Sequence, residues 1–61
     1  MSREEIIRQS IENDVYINYT RGDLEDEANR LGYPKKVEKE SRSALEKFVI
    51  EKRYEKAIKN I

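Results

Sequence analysis

The stretch Pro34-Lys35-Lys36-Val37-Glu38-Lys39-Glu40-Ser41-Arg42-Ser43-Ala44-Leu45-Glu46-Lys47-Phe48-Val49-Ile50-Glu51-Lys52-Arg53-Tyr54-Glu55-Lys56-Ala57-Ile58-Lys59-Asn60-Ile61 contains no glycine, and no proline after its first residue. Proline is tolerated at a helix start and nothing afterwards breaks the chain, so one helix can run from Pro34 to Ile61. Its apolar residues do not hold one phase. With Val37 at 0° and about 100° per residue, Ala44, Leu45, Phe48 and Val49 fall between about −20° and 120°. Ile50, Tyr54, Ala57, Ile58 and Ile61 fall between about 200° and 300°. A straight helix packed on one core needs a single stripe. The second stripe therefore breaks back onto the core near residues 50–53, wraps against the first helix, or meets another molecule. Opposite it stands a basic side made of Lys52, Arg53, Lys56 and Lys59.

The segments before it are shorter. Ser2-Arg3-Glu4-Glu5 has the spacing of a capping box, and its acids suit the positive end of a helix dipole. Ile6, Ile7, Ile11, Val15, Ile17 and Tyr19 spread over one broad side of this first helix, with Ser10, Asp14 and Asn18 inside the same arc. Residues 15–19 also have strand propensity, but one five-residue strand has no second strand to pair with, which favours the helix. Gly22 marks a break and Asp23 an N-cap for a short second helix, Leu24 to Leu31, that buries Leu24, Ala28 and Leu31. Gly32 supplies the residue after it.

Sixty-one residues, 43% of them charged and 36% hydrophobic, make a single helical domain over 1–61. The expected fold is all-α: a small three-helix domain with two short helices and one long C-terminal helix. A core this small supplies only about 3–5 kcal/mol, which argues for oligomerisation. The chain has neither cysteine nor histidine. Disulfides are excluded, the usual ligands of zinc, iron–sulfur and copper are missing, and so are the commonest catalytic bases and nucleophiles. No enzyme, cofactor or metal site is expected. No apolar run spans a membrane and no export signal is visible at Met1–Ser10, which points to the cytoplasm. The zero net charge divides unevenly: residues 1–33 carry four arginines against eight acids, and residues 34–61 carry nine bases against five acids.

Several short motifs have ordinary structural explanations. Asp23, Glu25, Asp26 and Glu27 lack the spacing of a calcium loop and fit the first turn of a helix. Arg21-Gly22-Asp23 and Asn18-Tyr19-Thr20 spell an adhesion tripeptide and a glycosylation sequon, which matter only outside the cell. Ala28-Asn29-Arg30-Leu31-Gly32 resembles the middle of a helix-turn-helix. The resemblance implies phosphate or base contacts from Lys35, Lys36, Lys39 and Arg42, although Glu38 and Ser41 stand where that motif has apolar anchors. The run from Arg21 through Leu24, Ala28 and Gly32 to Val49 is similar in spacing to the small two-helix aspartyl-phosphate phosphatases of sporulation control. That family's Ser-Gln-Glu-Leu-Asp signature corresponds here to Arg42-Ser43-Ala44-Leu45-Glu46, so the resemblance implies a helical hairpin and no phosphatase activity.

The functional expectation is a small non-enzymatic regulatory or adaptor protein that binds protein and self-associates through its C-terminal helix. Ile50, Tyr54, Ala57, Ile58 and Ile61 would be its apolar anchors, with Lys52 and Arg53 on the rim. The alternative is a small DNA-binding regulator using Lys35, Lys36, Lys39 and Arg42. Neither reading calls for a small-molecule substrate.

Overall fold

The computed structural model describes residues 2–59 and contains three α-helices and one 3-10 turn: α1 Arg3–Asn18, α2 Arg21–Arg30, the turn Val37–Lys39, and α3 Arg42–Lys59. There is no strand among the described residues, and the protein is an all-α domain. The proportions differ from the expectation: α1 has 16 residues and α3 has 18, so only α2, with 10, is short.

Half of the capping box expected at Ser2–Glu5 forms at the start of α1, the bond to the Ser2 hydroxyl, without a return bond to the Glu5 carboxylate among the described residues. The Ser2 hydroxyl accepts from the Glu5 amide at 3.2 Å, and Glu4 and Glu5 occupy the first turn. Val15 to Asn18 are helical, and Tyr19 leaves the helix with an extended ψ of 123°.

The reciprocal capping box lies on α2. The Thr20 hydroxyl accepts from the Asp23 amide at 3.2 Å, and the Asp23 carboxylate accepts from the Thr20 amide at 3.1 Å. α2 thus begins at Arg21, three residues before the expected Leu24. Two orphan donors are satisfied together, which outweighs the cost of placing Gly22 in the first turn. Its other end is a Schellman motif. Tyr33 N–H reaches the Ala28 carbonyl at 2.9 Å and Gly32 N–H the Asn29 carbonyl at 3.2 Å, with Gly32 at φ 88°. Glycine meets that left-handed conformation without strain.

The single helix that the chain from Pro34 onward would permit does not form. Residues 31–41 connect α2 to α3, and the break falls before α3 rather than near residues 50–53. Two anchors explain it. Val37 is buried as a peg in the core, and the Arg21 guanidinium donates to its carbonyl at 3.0 Å. Ser41 then caps a fresh helix, its hydroxyl accepting from the Ala44 amide at 3.2 Å. Arg42 pairs with Glu46, one turn on within α3, at 3.0 Å.

The core is formed by Ile11 and Val15 of α1, Leu24 and Ala28 of α2, Val37, and Leu45, Val49 and Ile50 of α3. No polar or charged side chain is buried among the described residues. α3 contacts both other helices. It runs antiparallel to α1: Arg8 meets Glu51 near one end, while Arg42 reaches the Tyr19 carbonyl at the other.

Candidate interaction surface

The C-terminal anchors are largely engaged within the chain. Ile50 is 2% exposed in the core, and Tyr54 and Ala57 are half-buried against it. Tyr54 also carries the Arg8 guanidinium 5.4 Å from its ring centre. Ile58 is 39% exposed, and Ile61 lies outside the described residues. Lys52 is exposed, with its ammonium 5.6 Å from the centre of the Phe48 ring.

Arg53 is part-buried and engaged within the chain. It donates to Asp14 at 2.6 Å and to the Tyr19 hydroxyl at 3.4 Å. Around α3, Arg42, Glu46 and Arg53 lie between about 140° and 180°, in the gap separating the two apolar stripes. Arg42, itself exposed, reaches the Tyr19 carbonyl at 2.6 Å and bonds Glu46 on its own helix, and Arg53 bonds Asp14 of α1. The two stripes are therefore the edges of one broad face, shared between α1 and α2.

Opposite charges tie α1 to α3 at two points. Arg8 bonds Glu51 at 2.5 Å and Arg53 bonds Asp14 at 2.6 Å. The guanidiniums hold both carboxyls below their ordinary values; for Asp14 the Arg53 bond is the largest cause and the Asn18 amide bond the next. The arginines are correspondingly raised, each chiefly by the hydrogen bond to its carboxylate. Partly exposed pairs of this kind orient helices more than they stabilise them.

The candidate nucleic-acid residues do not share a helix. Lys35 and Lys36 are exposed on the connection, Lys39 is exposed in the 3-10 turn, and Arg42 opens α3 with its guanidinium committed to Glu46 and Tyr19. A helix-turn-helix joins its two helices by a turn of about three or four residues. Residues 31–41 intervene here, so the motif is absent. α2 and α3 do pack on each other, without forming a tight hairpin. A cleft between them is lined by Tyr19, Leu31 and Ala57 and edged by Glu27, Arg30 and Lys56. Arg30 pairs with Glu27 at its mouth.

The surface that stands apart is on α1. Ile7, Ile11, Val15 and Tyr19 turn inward. Ile6, Gln9, Ser10, Asn13, Tyr16 and Ile17 are all exposed, with Ile6 at 55%, Tyr16 at 53% and Ile17 at 78%. At about 100° per residue these six occupy an arc of about 120° that contains no charge. The sequence carries a signal for this. The six apolar residues of α1 span about 220°, wider than one packing stripe, and Ile6 and Ile17 sit at its far edge.

Among the described residues, no helix is long and apolar enough to cross a membrane. Compared with known proteins, the chain matches no family model, no curated sequence and no solved structure.

Proposed function

We propose that the protein is a small regulatory or adaptor module of the cytoplasm that acts by binding protein, without catalysis, and that its binding face is the outer side of α1. The observation that carries this is the charge-free arc of Ile6, Gln9, Ser10, Asn13, Tyr16 and Ile17, all exposed on a chain of which 43% is charged. Depletion of charge is the compositional mark of an interface centre, because desolvating a neutral side chain costs far less than desolvating an ion. Covering a fully exposed isoleucine gains about 1.5–3 kcal/mol, and a tyrosine adds a large, rather rigid surface with a polar tip. Self-association through α3 has less to draw on, since Ile50, Tyr54 and Ala57 already pack within the chain and Ile58 alone among the described anchors is exposed.

The test is a photo-reactive side chain placed at Ile17 and, separately, at Lys36, each in the full chain inside cells. The α1 position should give a discrete protein adduct and the Lys36 position none. Equal labelling from both, or none from α1, rules the reading out.

A further inference from the structure

The geometry points to the cleft between α2 and α3 as a receptor for a small organic carboxylate, received by Arg53, with its apolar body seated on Tyr19, Leu31 and Ala57. The cleft has a volume of about 450 Å³. That lies within the roughly 300–1,000 Å³ of small-molecule sites. It stands apart from the outer side of α1, and neither reading depends on the other. Arg53 is held in place at this cleft. Its Nη1 donates to Asp14 at 2.6 Å and to the Tyr19 hydroxyl at 3.4 Å, and its guanidinium carbon lies 5.9 Å from the Tyr19 ring centre. Asp14 is itself held, accepting from the Asn18 amide at 2.7 Å. Both bonds of Arg53 leave from one nitrogen, so its Nη2 and Nε hydrogens have no acceptor among the described residues. A guanidinium oriented through Nη1 and open along its Nε–Nη2 edge presents the fork that takes a carboxylate bidentately.

Charge around the cleft matches an anion. Arg30, Lys52, Arg53 and Lys56 line it against Glu27, and Asp14 stands behind Arg53, so four positive charges meet two negative ones and a net +2 remains. Glu27 pairs with Arg30 at the mouth, and neither Lys52 nor Lys56 has a carboxylate partner among the described residues. Tyr19, Leu31 and Ala57 are half-buried and make the floor apolar. The position in the fold also selects the anion. Leu31 caps the C-terminal end of α2, and Lys56 stands in the last turn of α3. The cleft therefore lies near the negative ends of two helix dipoles, which oppose a dianion such as phosphate more strongly than a monoanion.

The test is a magnetic-resonance titration of the isotope-labelled full chain with hydrocinnamate, benzoate and isocaproate. At least one should give saturable shifts of the Leu31, Lys56 and Ala57 amides and should move the Arg53 Nε–H resonance. Its uncharged amide counterpart should leave that Nε–H in place. Arg53→Lys keeps the charge and removes the fork, so binding should weaken roughly tenfold. Glu27→Gln removes the acid nearest the anion, so binding should tighten roughly threefold. Both variants should keep their helical circular dichroism, since partly exposed ion pairs contribute little to stability. A gain of affinity is also a readout that a damaged fold does not produce.

Absence of saturable shifts with all three carboxylates, up to tens of millimolar, overturns the proposal. Equal binding of the uncharged amide overturns it as well, because an apolar hollow would then suffice without Arg53. An Arg53→Lys chain that binds as tightly as the original has the same consequence. Inorganic phosphate should bind more weakly than the carboxylates; tighter binding of phosphate would overturn the assignment of the ligand.

Discussion

Replacing Ile50 by alanine is the substitution that best divides a core residue from a surface anchor, and its cost can be worked from its surroundings. The side chain is 2% exposed and sits in one cluster with Ile11, Val15, Leu24, Leu45 and Val49. Truncating a buried isoleucine costs about 2–5 kcal/mol, combining lost transfer energy with an unfilled cavity. A single core of this size supplies about 3–5 kcal/mol in total, so Ile50→Ala should stand near or past its unfolding midpoint in plain buffer. Ile50→Val, at about 0.5–1.5 kcal/mol, should stay folded. With a urea slope of about 1 kcal/mol per molar, its midpoint should fall by ~0.5–1.5 M.

The control is Ile17→Ala at the outer side of α1, where the side chain is 78% exposed. There the change should stay within about 0.5 kcal/mol for the single chain, alanine being the better helix former. Far-ultraviolet circular dichroism in urea, at two protein concentrations, measures both. The loss at Ile50 should not depend on concentration, while Ile17→Ala should show none beyond that limit at either concentration. Equal, concentration-dependent losses at the two positions would refute the assignment of Ile50 to the core.

Two further outcomes follow from particular contacts. Gly32→Ala should destabilise by about 1–2 kcal/mol in thermal unfolding, because φ is 88° and a Cβ there meets nothing within 4 Å, so the cost is backbone strain rather than collision. Gly32→Asn should cost less. Acid should loosen the packing of α1 on α3. The carboxyls of Asp14 and Glu51 lie below their ordinary values of 3.8 and 4.5 in the folded chain. Their contribution is therefore complete above those values and disappears as pH falls through the depressed ones. The urea midpoint should hold steady from about pH 7 to 5 and then drop, and the drop should be shallower in an Arg8→Met, Arg53→Met double variant.

Much of the architecture is legible in local chemistry. Ser2 and Gly32 mark a start and a stop whose geometry depends on neighbours a few residues away, and each does what its residue type implies. The start of α2 is harder to read because Thr20 and Asp23 are both good caps. What decides is that Asp23 serves as the reciprocal acceptor for Thr20, a relation between two residues rather than a property of either. The break before α3 is harder again, since it needs Val37 to be worth burying and Arg21, sixteen residues back, to hold its carbonyl.

The surface was the least legible part, and for one reason. Charge is ordinarily read as facing water, so Arg42, Glu46 and Arg53 made the two apolar edges of α3 look like separate stripes. Long side chains can instead lie along a neighbouring helix and pair there, as Arg53 does with Asp14. With Arg53 turned to Asp14 and Arg42 reaching the Tyr19 carbonyl, Ile50 belongs to the core, and the face left without a partner among the described residues is the uncharged side of α1.

Tyr19 gives the molecule a mechanical polarity. Its carbonyl accepts from Arg42 and its hydroxyl from Arg53, so one residue at the joint of α1 and α2 is fastened to α3 at points eleven residues apart. Toward the other end of α1, Arg3, Glu4, Glu5 and Ile6 are all exposed, and among the described residues the first ion pair to α3 is at Arg8. Local opening of α1 should therefore begin in its first turn and run toward Tyr19, and loss of the Arg8–Glu51 pair should free the Tyr54 ring, over which Arg8 lies, before the joint at Tyr19 opens.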